Sequence, residues 1–197
     1  MSTARAFVAM VPSRAALDAV GKVSWRAAHR PAEVALPRLI GPRWTTREKW
    51  HLTLQFLGTR VDLDAAAAAL ATVRAAPARV RLGGIGGFPS ERRADVMWVG
   101  VIEGAAAVTA LAAKVNAAMS PVAGAADERE YHPHLTLARL ERPADLRAAV
   151  AKASGTAIGP SWMADRLVLF ESVTAPTGAR YRVHADVVLE PPDHAAP

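Results

Sequence analysis

Cysteine is absent from this chain of 197 residues, which removes disulfides, thiolate nucleophiles and zinc-thiolate sites together. No apolar run reaches the roughly 20 residues that a membrane-spanning helix needs. The chain opens on a strand-like Arg5-Ala-Phe-Val-Ala-Met-Val11 rather than a signal peptide, so a cytoplasmic protein with no membrane partner is expected. One compact unit over 1–190 is expected, because no linker interrupts it, and 191–197 reads as a disordered tail containing His194. Nothing asks for a second copy, and a monomer is expected. Lys and Arg exceed Asp and Glu by 24 to 18, a net charge of +6 that favours a polyanionic partner. The excess is spread thinly in an Ala- and Arg-rich composition, with no basic run, so it carries little weight alone.

What is present is a repeat. His-Leu-Thr-Leu occurs at His51 to Leu54 and again at His134 to Leu137, in a chain with six histidines. Average residue frequencies predict on the order of 0.003 such tetrapeptides, so chance does not explain two. Each copy lies in a short apolar run that reads as a buried strand. Alternation then puts His51 with Thr53, and His134 with Thr136, on one face, while the leucines anchor the other. Two such faces turned toward each other would offer two imidazoles and two hydroxyls, suited to moving protons into and out of a phosphorylated substrate.

Local signals give a strand over 5–11, a helix over 13–29 and the first His strand over 51–57. A helix capped by Asp62 should run through Ala76 until Pro77 stops it. Strands over 79–85 and 96–101 follow, joined by 86–93, then a helix over 104–119 and the second His strand. A helix over 144–153 and strands over 166–173 and 180–189 complete the chain. The two stretches, 13–101 and 104–189, repeat one order of elements. Phe88 follows His51 by 37 residues and Phe170 follows His134 by 36, which supports an internal duplication. The expectation is an α+β fold of two pseudo-symmetric lobes of mainly antiparallel sheet with outer helices. Each half would supply one sheet, and the His strands would line a central cleft.

The chain resembles the 2H phosphoesterase superfamily, and within it the LigT-like RNA 2′,3′-cyclic phosphodiesterases. The likeness rests on His51-Leu-Thr-Leu-Gln-Phe-Leu-Gly58 and Pro133-His-Leu-Thr-Leu-Ala-Arg139. It extends through Gly87-Phe88-Pro89 before Val96-Met-Trp-Val-Gly-Val101, and through Leu167-Val-Leu-Phe-Glu-Ser172 before Tyr181. The resemblance implies metal-independent opening of an RNA or nucleoside 2′,3′-cyclic phosphate to a 2′-phosphomonoester, reversible as 2′-5′ RNA ligation. It makes His51 and His134 the catalytic acid/base pair, with a lean toward His134 as base and His51 as acid. Thr53, Thr136 and Arg139 would hold the phosphate, and Phe56 would stack on a base. No cofactor or metal is implied, and the partner would be RNA or a nucleotide. An ADP-ribose cyclic phosphate, a 2′-5′ oligonucleotide or a noncatalytic RNA-binding role remain alternatives.

Some residues carry a competing reading. Arg139 lies five positions after His134, which on an ideal strand turns it away, so a bulge or twist is required. Core packing competes with stacking for Phe56. His132 and His134 could begin a metal site, although no carboxylate motif completes it. Gly83-Gly84-Ile85-Gly86-Gly87 reads as a bulged strand end and turn rather than a phosphate loop. Arg92 and Arg93 either fringe the cleft or are solvated charges of an exposed connection. His29 and His184 belong to no constellation.

Overall fold

The structure is a computed structural model that describes residues 3–123, 130–174 and 178–190. The expected tail over 191–197, with His194, lies outside the described residues.

Strand β1 (Thr3–Met10) leads into helix α1 (Arg14–His29), whose first turn is closed by the Ser13 hydroxyl accepting from the Ala16 N–H at 3.3 Å. A two-residue strand β2 (Arg43–Trp44) precedes β3 (Leu52–Asp62) and α2 (Leu63–Leu70). Strands β4 (Ala78–Phe88) and β5 (Ala94–Glu103) form a hairpin, followed by α3 (Ala105–Met119) and β6 (His134–Ala144). The chain closes with α4 (Arg147–Ala153), β7 (Ala157–Ala164), β8 (Arg166–Val173) and β9 (Arg180–Val188).

Two antiparallel sheets result, ordered β3-β1-β8-β9 and β2-β6-β5-β4-β7. The α+β class and the two lobes are as expected, but the ownership of the sheets is not. The hairpin β4–β5 follows the first histidine in sequence and pairs with β6, the strand of the second. The hairpin β8–β9 follows the second histidine and joins the first through β1. The halves exchange hairpins, so neither supplies a sheet alone.

Local boundaries also differ, β3 running on to Asp62 instead of 57 and β4 to Phe88 instead of 85. Asp62 caps α2 as expected, its carboxylate accepting from the N–H groups of Asp64 and Ala65, yet the helix stops at Leu70 instead of Ala76. The Thr72 hydroxyl donates to the Ala69 carbonyl at 2.8 Å and the Arg74 guanidinium to the Ala71 carbonyl at 2.7 Å, satisfying helix-end carbonyls with side chains. Strand β6 runs on to Ala144, so α4 begins at Arg147 rather than at 144. Strand β7 lies between the expected helix over 144–153 and strand over 166–173, where no element is expected; it forms an edge strand, where its Pro160 is tolerated.

The core follows from alternation. Leu52, Leu54, Leu135 and Leu137 are buried on the back of the His strands, joined by Val8 and Met10 from β1 and by Leu167 and Leu169 from β8. Helix α3 buries Val108, Leu111, Ala112, Val115 and Met119 on one face. Each leucine-backed strand therefore carries its histidine on a rigid support.

Candidate active site

His51 stands immediately before β3 and His134 opens β6. The two imidazoles are fixed by the same hydrogen bond. His51 Nδ1 lies 2.7 Å from the Lys49 carbonyl, and His134 Nδ1 lies 2.7 Å from the His132 carbonyl. A carbonyl only accepts, so each Nδ1 carries the proton and each Nε2 keeps its lone pair. Thr53 and Thr136 sit two residues on, partly exposed like their histidines, while Leu52 and Leu135 between them are fully buried. The Tyr131 phenol, three residues ahead of His134, donates to the Thr53 carbonyl at 2.9 Å and ties the approach to β6 onto β3. Burial raises the Tyr131 pKa, which keeps that phenol a donor.

Bulges place the remaining candidates. Along β6, Thr136 faces Trp98 of β5 but the next partner of β5, Met97, faces Ala138, so Leu137 is an extra residue. Leu137 and Ala138 are buried in succession, and Arg139 emerges on the face of His134 opposite Val96. The bulge thus supplies the turn that parity demanded. Arg139 is close enough for its charge to lower the His134 pKa. In β3, Leu54 and Leu57 are extra relative to β1, and Phe56 is turned out to 72% exposure opposite Phe7. Core packing is excluded for it. Its ring centroid lies 6.1 Å from that of Phe7, which stacks on His51 at 4.7 Å.

Aromatic rings surround both histidines. Phe7, Tyr181 at 5.5 Å and Phe170 at 6.1 Å flank His51, while Phe88 at 4.9 Å and Trp98 at 6.0 Å flank His134. Phe88 and Phe170, which follow the two histidines at nearly equal spacing, have crossed over, each flanking the histidine of the other half. Phe7, Tyr181, Trp98 and Tyr131 were not read as site residues from the sequence. A signal existed, since the chain has four Phe and two Tyr, and all six stand in or beside these two clusters.

This setting makes both imidazoles reluctant to charge. Burial is the main cause for His51, opposed by the Lys49 carbonyl and assisted by charge on His134, and its pKa falls from 6.5 to about 4. His134 is also lowered, chiefly by burial, with the charges of His132 and Arg139 adding to it. Near neutral pH both present an unprotonated Nε2, and an arriving anion would favour protonation of either.

Two cavities flank the pair. One of about 260 Å³ is lined by Arg47, Trp50, His51, Phe170 and Tyr181. Another of about 560 Å³ on the His134 side is lined by Phe88, Glu91, Arg92, Trp98, His132 and Arg147. Arg92 thus fringes the cleft, whereas Arg93 does not line it. Among the described residues no group of three or more His, Cys, Asp or Glu stands close enough together to hold a metal ion. His132 instead lies 6.0 Å from the Phe88 ring. His29 stacks on Trp25 and His184 reaches Asp64 at 3.3 Å, both apart from the pair.

Two exchanged-hairpin lobes with a histidine and a threonine repeated on each facing strand define a two-histidine phosphoesterase architecture. The chain belongs to the 2′-5′ RNA ligase superfamily, whose family model matches residues 22–175, and this bears out the resemblance to the 2H phosphoesterases. It is 35% identical over 105 residues to an RNA 2′,3′-cyclic phosphodiesterase of Aeropyrum pernix, a match covering 52% of this chain and 60% of that protein. A protein of the same name from Aquifex aeolicus is 29% identical over 148 residues, covering 72% of this chain and 73% of its own length. Among solved structures, a Thermus thermophilus protein superposes with a TM-score of 0.71 at 26% identity, over 95% of this chain and 98% of its own. Escherichia coli LigT in its apo form gives a TM-score of 0.70 at 23% identity, over 96% and 99% of the two chains, a likeness of fold.

Proposed function

We propose that this chain hydrolyses RNA or nucleoside 2′,3′-cyclic phosphates to 2′-phosphomonoesters by acid/base catalysis between His51 and His134. The observation that carries this reading is the pair of equivalent Nδ1–H bonds to Lys49 and His132, which leave each Nε2 able to take or give a proton. The names of the relatives from Aeropyrum pernix and Aquifex aeolicus support the substrate class. Both histidines belong to one chain, so a monomer would carry the complete pair.

In-line displacement needs a base on one side of phosphorus and an acid on the other. His134 Nε2 accepts a proton from water as the water oxygen bonds to phosphorus. The bond from phosphorus to the 3′ oxygen breaks, and that oxygen takes a proton from His51 Nε2, leaving the phosphate on the 2′ oxygen. One proton is gained at His134 and one lost at His51, and solvent restores both. Thr53 and Thr136 hydroxyls donate to the nonbridging oxygens, and Arg139 stabilises the charge that develops there. The cyclic phosphate's negative charge raises the pKa of His51 on binding, which supplies the protonated acid that the free site disfavours. Phe56, with Phe7 behind it, stacks on the base of the terminal nucleotide.

Assay of the purified chain on a nucleoside 2′,3′-cyclic phosphate and on a cyclic-phosphate-ended RNA tests the reading. The expected product of both is the 2′-monoester, formed equally well in excess EDTA. A 3′-monoester product, or activity abolished by the chelator and restored by a divalent ion, would contradict it.

A further inference from the structure

Resting on that reading, in which His51 is the acid, we infer that Phe7 is a positioning residue for the proton transfer: its ring face holds the His51 imidazole and favours the protonated form. The two histidines share their neighbours in sequence and the same Nδ1 bond to a carbonyl, yet their rings are packed differently. Phe7 lies nearly parallel to His51, with centroids 4.7 Å and planes 27° apart. Phe88 meets His134 at 81° and Trp98 meets it at 51°. Of the pair, and among the described residues, His51 alone has an aromatic face laid along its own.

Phe7 is held in that pose. It stands on β1, between β3 and β8, and is 3% exposed. Phe170 stacks on it at 5.2 Å and Tyr181 meets it at 4.9 Å and 79°, so His51, Phe170 and Tyr181 enclose the ring. The charges around His51 leave that ring a task. Tyr181 of β9 lies 5.5 Å away, His134 of β6 acts with like charge, Lys49 precedes His51 by two residues, and Arg47 and Glu48 line the adjoining cavity. Arg47 is paired with Asp18 at 2.7 Å. His132 reaches Glu130 at 3.9 Å and His184 reaches Asp64 at 3.3 Å, but among the described residues no carboxylate pairs with His51. An imidazolium at His51 therefore has no counter-charge against it. The negative quadrupole of the Phe7 face attracts the charge spread over the imidazolium and leaves the neutral ring indifferent, so the contact adds to proton affinity where burial subtracts from it.

A graded series at position 7, with 4-fluoro-, 3,5-difluoro- and 3,4,5-trifluorophenylalanine, drains the ring face of negative potential at nearly constant shape and burial. The readouts are kcat on a nucleoside 2′,3′-cyclic phosphate across the pH range and the titration of the His51 imidazole resonances with inorganic phosphate bound. The trifluoro chain should lose about three- to tenfold in His51 proton affinity, the span of a partly desolvated cation–π contact. Its kcat should fall by the same factor on the alkaline side of the optimum, where protonated His51 is scarce. The acidic side should not change, because deprotonation of His134 limits the rate there. Should the trifluoro chain fail to fold, the mono- and difluoro members carry the same trend in smaller steps. Equal losses on both sides, which a purely structural role predicts, or a His51 titration indifferent to the number of fluorines overturn the proposal. If that titration follows the series while the wild-type chain turns over no cyclic phosphate, the hydrolase reading fails and the pairing of Phe7 with His51 stands.

Discussion

Charge on His134 adds to the burial that lowers the pKa of His51, so protonation of His134 opposes protonation of His51. The rate law of an acid and a base so linked is a bell. With His51 near 4 and His134 also below 6.5, the free enzyme's kcat/KM should peak on the acidic side of 6.5. The bound phosphate favours both imidazolium forms, so the kcat profile should be displaced to higher pH than that of kcat/KM. Rates across the pH range at saturating and at limiting substrate measure both curves. A rate that rises without a maximum through about pH 9 would indicate a different base.

Stability should follow the same groups. Both histidines bind a proton less readily folded than unfolded, so between pH 6.5 and about 4 the unfolded chain takes up more protons and stability falls as the pH falls. The His51 shift alone corresponds to at most about 3 kcal/mol. Urea unfolding at pH 7 and pH 4.5 should show a smaller difference in His51→Asn than in wild type, and inorganic phosphate should narrow the wild-type difference. Parallel pH dependences in variant and wild type would sink this.

Thr53 and Thr136 stand beside the histidines on the exposed face of strands whose other face is core. Valine preserves strand shape and removes only the hydroxyl, so Thr53→Val and Thr136→Val should lower kcat with little change in KM. A rise in KM alone would mean that the hydroxyls hold ground state and transition state equally.

Phe56 is 72% exposed, so Phe56→Ala should leave the unfolding free energy nearly unchanged. Its cost should appear in KM, by an amount equivalent to roughly 1 to 3 kcal/mol of base stacking. An unaltered KM would remove Phe56 from the substrate site and leave the histidines untouched.

The candidate site was legible because its signals are local. Two histidines with the same neighbours, each backed by leucines, announce themselves in any strand, and the cap at Asp62 follows from a side chain next to the backbone it satisfies. The exchange of hairpins was not legible, because pairing β8 with β1 instead of β6 is a long-range choice that no local pattern encodes. Strand β7 was hidden by Gly159 and Pro160, which are tolerated because it is a sheet edge. Arg139 sits between these cases. Parity showed that a bulge was needed, and only the register places it at Leu137.

The central claim is that His51 and His134 are acid and base in one displacement. His51→Ala and His134→Ala, each shown to fold by circular dichroism, should be assayed on a 2′,3′-cyclic nucleotide at the wild-type pH optimum. A general acid or base contributes typically about 10²- to 10⁴-fold, so each variant should lose at least about a hundredfold in kcat, and the double variant little more than the worse single one. A folded variant that retains more than about a tenth of the wild-type kcat would contradict the account.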